Sequence, residues 1–159
     1  IIVILSIISL FNFLGKSFLG DSGSYSIAFL VGVICVKFIY ENPQTVSPYF
    51  IALLLWYPAI ENLFSIIRRS LSKKKLSLAD NYHLHHLVYL FLNKKFSKKN
   101  KILINSFSGM AINIYNLIVI YISFFFISNS KILIFIIIVN LMIYLLTYSF
   151  LKKLIRFKK

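Results

Sequence analysis

The residues that could do chemistry in this 159-residue chain are few and fall in two short stretches. All three histidines lie in Ala79-Asp80-Asn81-Tyr82-His83-Leu84-His85-His86-Leu87, and the second stretch is Gly20-Asp21-Ser22-Gly23-Ser24. Cations flank the histidines: Arg68, Arg69, Lys73, Lys74 and Lys75 before them, Lys94, Lys95, Lys98, Lys99 and Lys101 after. Imidazoles among lysines and arginines suit phosphate contacts or proton transfer. A closed zinc site is a poor fit, because no cysteine is near and Asp80 is the only close carboxylate. A cluster at the level of lipid headgroups is the other reading of the same residues. On a helix, the i, i+2, i+3 spacing would put His83 and His86 on one face and turn His85 elsewhere.

Asp21 also reads in two ways. With Asp21 or Ser22 as N-cap, a helix runs from this turn to about Tyr40. Helix N-termini attract phosphate through unpaired N–H groups and the helix dipole. A carboxylate at that place repels phosphate unless a divalent cation joins them, and Mg²⁺ commonly binds through one or two carboxylates plus substrate phosphates. The residue is therefore either a plain cap or part of a Mg²⁺–diphosphate site. Glu61, a carboxylate inside an apolar run, is a functional candidate by default, or else it snorkels or pairs with Arg68 or Arg69.

The elements that must position these residues are membrane spans. The chain is 59% hydrophobic with only four acidic residues, and its mean hydropathy is +0.83. Soluble domains are typically about 45–50% apolar. The expected fold is an all-α polytopic helix bundle: a single integral-membrane domain over residues 1–159 with a histidine-containing loop over 68–101. Residues 1 to about 14 are too short to span and read as the end of a truncated helix. Full spans are expected over about 21–40, about 48–67 with a kink at Pro58, about 102–127 and about 132–151. The segment from Tyr82 to Leu92 reads as an interfacial helix. Ser24, Ala28 and Gly32 form a small-residue stripe that would let a neighbouring backbone approach. Asn105, Gly109, Asn113 and Asn116 share one face of their span, which should point into the bundle.

Charge placement sets the topology. With the histidine loop cytoplasmic, sixteen basic residues lie inside and only Lys37 and Lys131 outside, a decisive bias under the positive-inside rule. Both candidate stretches and the C-terminus then share the cytoplasmic face. A net charge of +14 placed in short loops between spans points to the lipid bilayer and not to nucleic acid. The single Cys35 lies in an apolar run and supports no disulfide framework.

Two motifs carry a family resemblance. Phe18-Leu19-Gly20-Asp21-Ser22-Gly23-Ser24, preceded by Phe11-Asn12-Phe13, resembles the motif before a transmembrane helix in polyprenyl-phosphate N-acetylhexosamine-1-phosphate transferases. Pro58-Ala59-Ile60-Glu61, Arg68-Arg69 and Asp80-Asn81-Tyr82-His83-Leu84-His85-His86-Leu87 are similar to that family's proline–acidic–arginine span and its His-x-His-His loop. The resemblance implies transfer of N-acetylhexosamine-1-phosphate from a UDP-N-acetylhexosamine to a polyprenyl phosphate, with Mg²⁺, at the bacterial inner membrane, in the initiation of cell-surface polysaccharide. It implies Asp21 as the Mg²⁺ and diphosphate residue, and His83, His85 and His86 as catalytic contacts. Ser22, Ser24, Arg68, Arg69 and Asp80 are its substrate-binding candidates, and it leaves room for a homodimer.

Asn81 departs from the arginine that many members carry there. The family's upstream Asp-Asp pair is not in these residues, and Ile1 opens in mid-run. The chain is therefore expected to be the C-terminal portion of a longer protein and inactive alone. Two other classes stay open: a non-catalytic membrane paralogue or assembly partner, and a transporter-type helix bundle using Glu61 and the asparagine face.

Overall fold

A computed structural model describes residues 2–71, 82–96 and 100–156, with side chains from residue 5 to 155. Regular structure among the described residues is helical: α1 (Ile2–Phe13), α2 (Gly20–Glu41), α3 (Pro48–Leu54), α4 (Trp56–Leu71), α5 (Leu84–Lys95), α6 (Lys101–Phe124) and α7 (Ser130–Arg156). Helices α2, α6 and α7 are long and apolar enough to cross a membrane, and so are α3 and α4 taken together as a pair bent by 71°. The expected all-α membrane bundle is the fold observed, with three such spans, or four where the bent pair is one crossing.

The bend falls at Leu55, three residues before the expected kink at Pro58. Proline acts backwards along a helix: it removes its own N–H and its ring crowds the carbonyl four residues earlier, which is that of Leu54. The chain resumes at once, with Leu55 N–H donating to Ile51 O and Ala59 N–H to Leu55 O. Upstream, Ser47 caps α3 by accepting from Tyr49 N–H, and Pro48 occupies the first turn, where its missing donor costs nothing.

The core forms where α3, α5, α6 and α7 meet. Leu53, Leu87 and Leu133 are fully buried there with Tyr144. Trp56 packs edge-on against Tyr57 and Tyr115, and Phe64 against Tyr144 and Tyr148. Tyr115 on α6 donates to Asn140 on α7, which satisfies a buried amide between two spans.

Hydrogen bonds fix the two ends of the bundle. At one end Ser47 N–H donates to Ile127 O, and the hydroxyls of Ser47 and Ser130 lie 2.8 Å apart. At the other, Arg68 reaches Tyr148 and Lys94 reaches Leu154 O. Eighteen residues of α7 separate Ser130 from Tyr148, a rise of about 27 Å. The two arms of the bent pair, about 10 and 24 Å long and bent by 71° from one another, cover about 29 Å end to end. The α3–α4 pair therefore climbs beside α7 across most of a hydrocarbon core of about 30 Å.

The N-terminal turn joins the basic end. Ser106 on α6 donates to Phe13 O at 2.6 Å, and Gly15 lies against Ile102. Gly15 closes α1 with φ +69° while Lys16 N–H bonds back to Phe11 O, a left-handed helix stop that favours glycine. Helix α2 then runs almost bare, with only 6% of its apolar window buried. Nothing approaches Gly32 within 4 Å, so the Ser24-Ala28-Gly32 stripe receives no neighbour among the described residues.

The asparagine face is a second correction. Asn105 and Asn113 are exposed while Gly109 and Asn116 are half-buried, with the Asn116 Oδ1 fully buried, and α6 packs mainly through Ile104, Ser108, Tyr115, Val119 and Ser123. These two stripes lie about a quarter turn apart on the helix. The stripe that holds Ile104, Tyr115 and Val119 carries more apolar area and takes most of the core, with Ser108 and Ser123 tucked among them and only the Asn116 edge of the polar face turned in.

Candidate functional site

The site grows from one face of α4. Glu61, Ser65 and Arg68 stand at i, i+4 and i+7, so they line one side of the helix, and Glu61 and Ser65 are buried. Opposite them the chain enters α5 through Tyr82 and His83, with His83 extended at φ −71°, ψ 151° as the N-cap. His83 makes no side-chain cap of its own. The carboxylate of Glu61 takes that role from across the bundle: Oε1 accepts from Leu84 N–H at 2.9 Å and lies 3.0 Å from His83 Nδ1. A negative group at a helix N-terminus is favoured by the unpaired donors and the dipole. Tyr57 and Tyr144 lie beside the same carboxylate, yet neither makes a hydrogen bond of ordinary geometry to Oε2.

Arg68 holds the preceding residue. Its Nη1 donates to Tyr82 O at 2.7 Å and to the Tyr148 hydroxyl at 2.5 Å, and its Nη2 lies 3.4 Å from Ser65 Oγ. Its guanidinium also stands within 6 Å of both tyrosine ring centres. One helix face thus clamps residues 82–84 at three successive points. Among the described residues no ion pair joins Glu61 to Arg68 or Arg69, so of the alternatives open for Glu61 the arginine pair is not the one formed. The imidazole and the Leu84 N–H reach it on the inner side of α4, while Arg68 is drawn two turns away to carbonyl and phenol oxygens.

The histidines are grouped differently from a continuous helix. His83 stacks on His85, with ring centres 5.5 Å apart and 10° between planes, while His86 lies against Tyr89. His83 precedes the helix in extended conformation, and in extended chain residues i and i+2 point to the same side. Burial of the packed side of His85 lowers its pKa below the usual imidazole value, though one edge stays exposed. The nearby Glu61 carboxylate opposes that shift, and His83 and His86 add to it.

A cleft of about 640 Å³ opens at the same end, lined by Phe64, Arg68, Leu145, Tyr148, Lys152 and Lys153 among others. Arg69 follows Arg68 on α4 and is half-buried. Asp80, Asn81 and Lys73 to Lys75 lie outside the described residues.

Asp21 sits in the first turn of α2, exposed, and neither it nor Ser22 is the cap. Gly20, with φ +69°, lets the helix begin one residue earlier, after Leu19. Ser24 is folded back to donate to Gly20 O, and Ser26 likewise donates to Ser22 O. No hydrogen bond or ion pair joins Asp21 to the histidines among the described residues. What the fold does share out is the end of the bundle: the turn before α2 packs on the start of α6, at the basic end.

Among the described residues no three His, Cys, Asp or Glu side chains come together as a metal cage. Asp21 supplies one exposed carboxylate. One carboxylate is too few for a dedicated protein metal site and would serve only a cation that keeps most of its other ligands.

Tyr57, Ser65, Tyr144 and Tyr148 were not singled out by sequence. Ser65 could have been found from its i+4 spacing to Glu61. The tyrosines give no such signal, because in an apolar helix they read as ordinary core or interface aromatics.

Fold and site together define an integral-membrane helix bundle that gathers imidazole and cationic side chains at one end. Among curated proteins, the chain is similar to one from Bacillus subtilis (strain 168) described as a probable undecaprenyl-phosphate N-acetylglucosaminyl 1-phosphate transferase, 30% identical over 76 residues. That match covers 48% of this chain and 21% of the relative, so the matched stretch is about a fifth of the relative's length. The relative is a transferase of the kind the two motifs resemble. No family model matches the chain, and no solved structure matches it.

Proposed function

We propose that the protein containing this chain transfers N-acetylhexosamine-1-phosphate from a UDP-sugar to a polyprenyl phosphate. The observation that carries the reading is the clamped entry to α5, where Glu61 and Arg68 fix the histidine segment at the basic end of a membrane bundle. The curated relative supports the same class of reaction. A terminal oxygen of the polyprenyl phosphate forms a bond to the β-phosphorus of the nucleotide sugar. The bond from that phosphorus to the bridging oxygen breaks, and UMP leaves with the electron pair.

Such phosphoryl transfer needs positioning and charge neutralisation more than covalent chemistry from the protein. In this reading His83, His85 and His86 contact the diphosphate or the sugar, with Arg68, Arg69 and Asp80 as further substrate-binding residues. Ser22 and Ser24 stand in the turn with Asp21. Asp21 would hold Mg²⁺, which when bound offsets the diphosphate charge. The basic face is the cytoplasmic one, where UDP-sugars are found.

The test is UMP release by membranes carrying the full-length product of this reading frame, given UDP-N-acetylglucosamine and undecaprenyl phosphate. Asp21→Asn is expected to cut the rate at least about 100-fold while the protein still inserts in the membrane. Unchanged release in that variant would remove Asp21 from the site. No release from the unaltered protein, with UMP absent for other UDP-N-acetylhexosamines too, would remove the transferase reading.

A further inference from the structure

We infer that Glu61 is a positioning residue that holds His83 as its Nδ1–H tautomer, with the lone pair of the neutral ring on Nε2. The inference rests on the transferase reading for its consequence, though not for its geometry.

The Glu61 oxygen that faces the ring already receives the backbone N–H of Leu84 at 2.9 Å. An oxygen receiving a backbone donor acts as an acceptor, so its 3.0 Å contact with Nδ1 places the proton on that ring nitrogen. In the neutral imidazole the other nitrogen then carries the lone pair. Histidine in water favours the opposite tautomer, with the proton on Nε2, so the choice at His83 is imposed by Glu61. Arg68 fixes the backbone one residue earlier through Tyr82 O, and stacking on His85 sets the ring plane. The ring is thus held by its backbone, its face and one nitrogen. Orientation of a working imidazole by a buried carboxylate follows the same logic as in hydrolase triads and metal sites.

A bare packing role explains less. A side chain needed only to fill space at this depth would be apolar, because a buried carboxylate is expensive in a membrane protein. A carboxylate needed only to cap α5 would have no reason to meet His83 as well. Both contacts converge on a single oxygen, 22 and 23 residues from its partners in sequence.

Two variants separate the roles. In Glu61→Gln the Leu84 N–H still selects the amide oxygen, so the acceptor facing Nδ1 is kept. Glu61→Leu keeps the size and removes the acceptor. ¹⁵N-histidine NMR of the full-length protein in detergent, with the His83 signal assigned by loss in His83→Gln, reads the tautomer directly. The expected result is Nδ1–H in the unaltered protein and in Glu61→Gln, and Nε2–H in Glu61→Leu. In the UMP-release assay kcat should fall about 100-fold or more in Glu61→Leu, with KM much less affected, and Glu61→Gln should restore most of it.

An Nε2–H tautomer in the unaltered protein would overturn the proposal. Equal loss of kcat in both variants, with the His83 signal unchanged, would also overturn it. Should Glu61→Leu fail to fold, the tautomer of the unaltered protein and the kcat of Glu61→Gln still decide the matter. A protein with the Nδ1–H signal but no UMP release would take down the transferase reading while leaving the geometry standing, so the two failures are distinguishable.

Discussion

Arg68 shows what a single side chain contributes when its geometry, and not only its charge, is used. Its fork reaches a backbone carbonyl, a phenol and a serine hydroxyl, and it packs on two tyrosine rings. Lysine carries the same charge as a compact point and cannot span those partners. Arg68→Lys is therefore expected to cost about 1–3 kcal/mol, seen as a lower Tm in detergent, and to slow UMP release as residues 82–84 loosen. An unchanged Tm would mean that the fork is dispensable. His85 gives a pH-dependent prediction. Its folded pKa is lowered, first by burial, so the unfolded chain takes up the proton first. Stability should be complete above the ordinary value of 6.5 and decline as pH falls from there toward the lowered folded value. The difference in Tm between about pH 7.5 and 5.5 should shrink in His85→Gln, and an equal difference in both proteins would contradict this. At this scale residue type was the legible part: few groups in the chain can do chemistry, and sequence finds them. Partnerships were not legible. Glu61 stood as a functional candidate that could also snorkel or pair with an arginine, and its meeting with His83 depends on how α5 is seated, which no local spacing records.

The break between α3 and α4 is the element on which the site depends. A proline in a span was legible, while the position of the bend was not, because Pro58 acts backwards on the carbonyl of Leu54 and the helix breaks at Leu55. Helix α5 was legible as a short segment from its mixed polar and aliphatic pattern. Its actual limits, Leu84–Lys95, are set by tertiary groups: Glu61 caps the start, and Lys94 donates to α7 near the end. The asparagine face of α6 misled because a polar stripe was assumed to seek the core, whereas packing followed the apolar one. Pro58→Ala would restore the missing donor opposite Leu54 O and remove the ring that crowds it. A straighter α3–α4 pair is then expected, carrying Glu61 and Arg68 away from residues 82–84. Spin labels at exposed Tyr49 and Leu71, in a cysteine-free background, should report a longer separation, and UMP release should drop. An unchanged separation would mean that packing of α3 against α6 and α7, not the proline, makes the bend.

For the whole molecule the question is whether the bent pair crosses the membrane or dips in and returns. Hydropathy cannot decide this, since a broken helix of this length passes for either. The hydrogen bonds do: α3 begins beside Ile127 and Ser130, and α4 ends beside Tyr148, about 27 Å further along α7. A returning loop would have to bring both ends of the pair to one end of α7. Crossing also places residues 42–47 with the turn before α7 on one face, and the α5 segment, the start of α6 and the end of α7 on the other. The arginines and lysines of that second face are then collected together, as the charge bias of the loops requires. Single cysteines offered to a membrane-impermeant maleimide in sealed, inside-out vesicles give the check, again with Cys35 replaced. Lys101→Cys and Lys153→Cys should label from the outside of such vesicles, and so should Lys16→Cys, since the turn before α2 packs on the start of α6. Gln44→Cys and Asn129→Cys should label only after the vesicles are opened. Labelling of Gln44 together with Lys101 would make the pair re-entrant. In that case Asp21 and the histidines could not share a face across a single α2 crossing, and the site would have to be drawn again without Asp21.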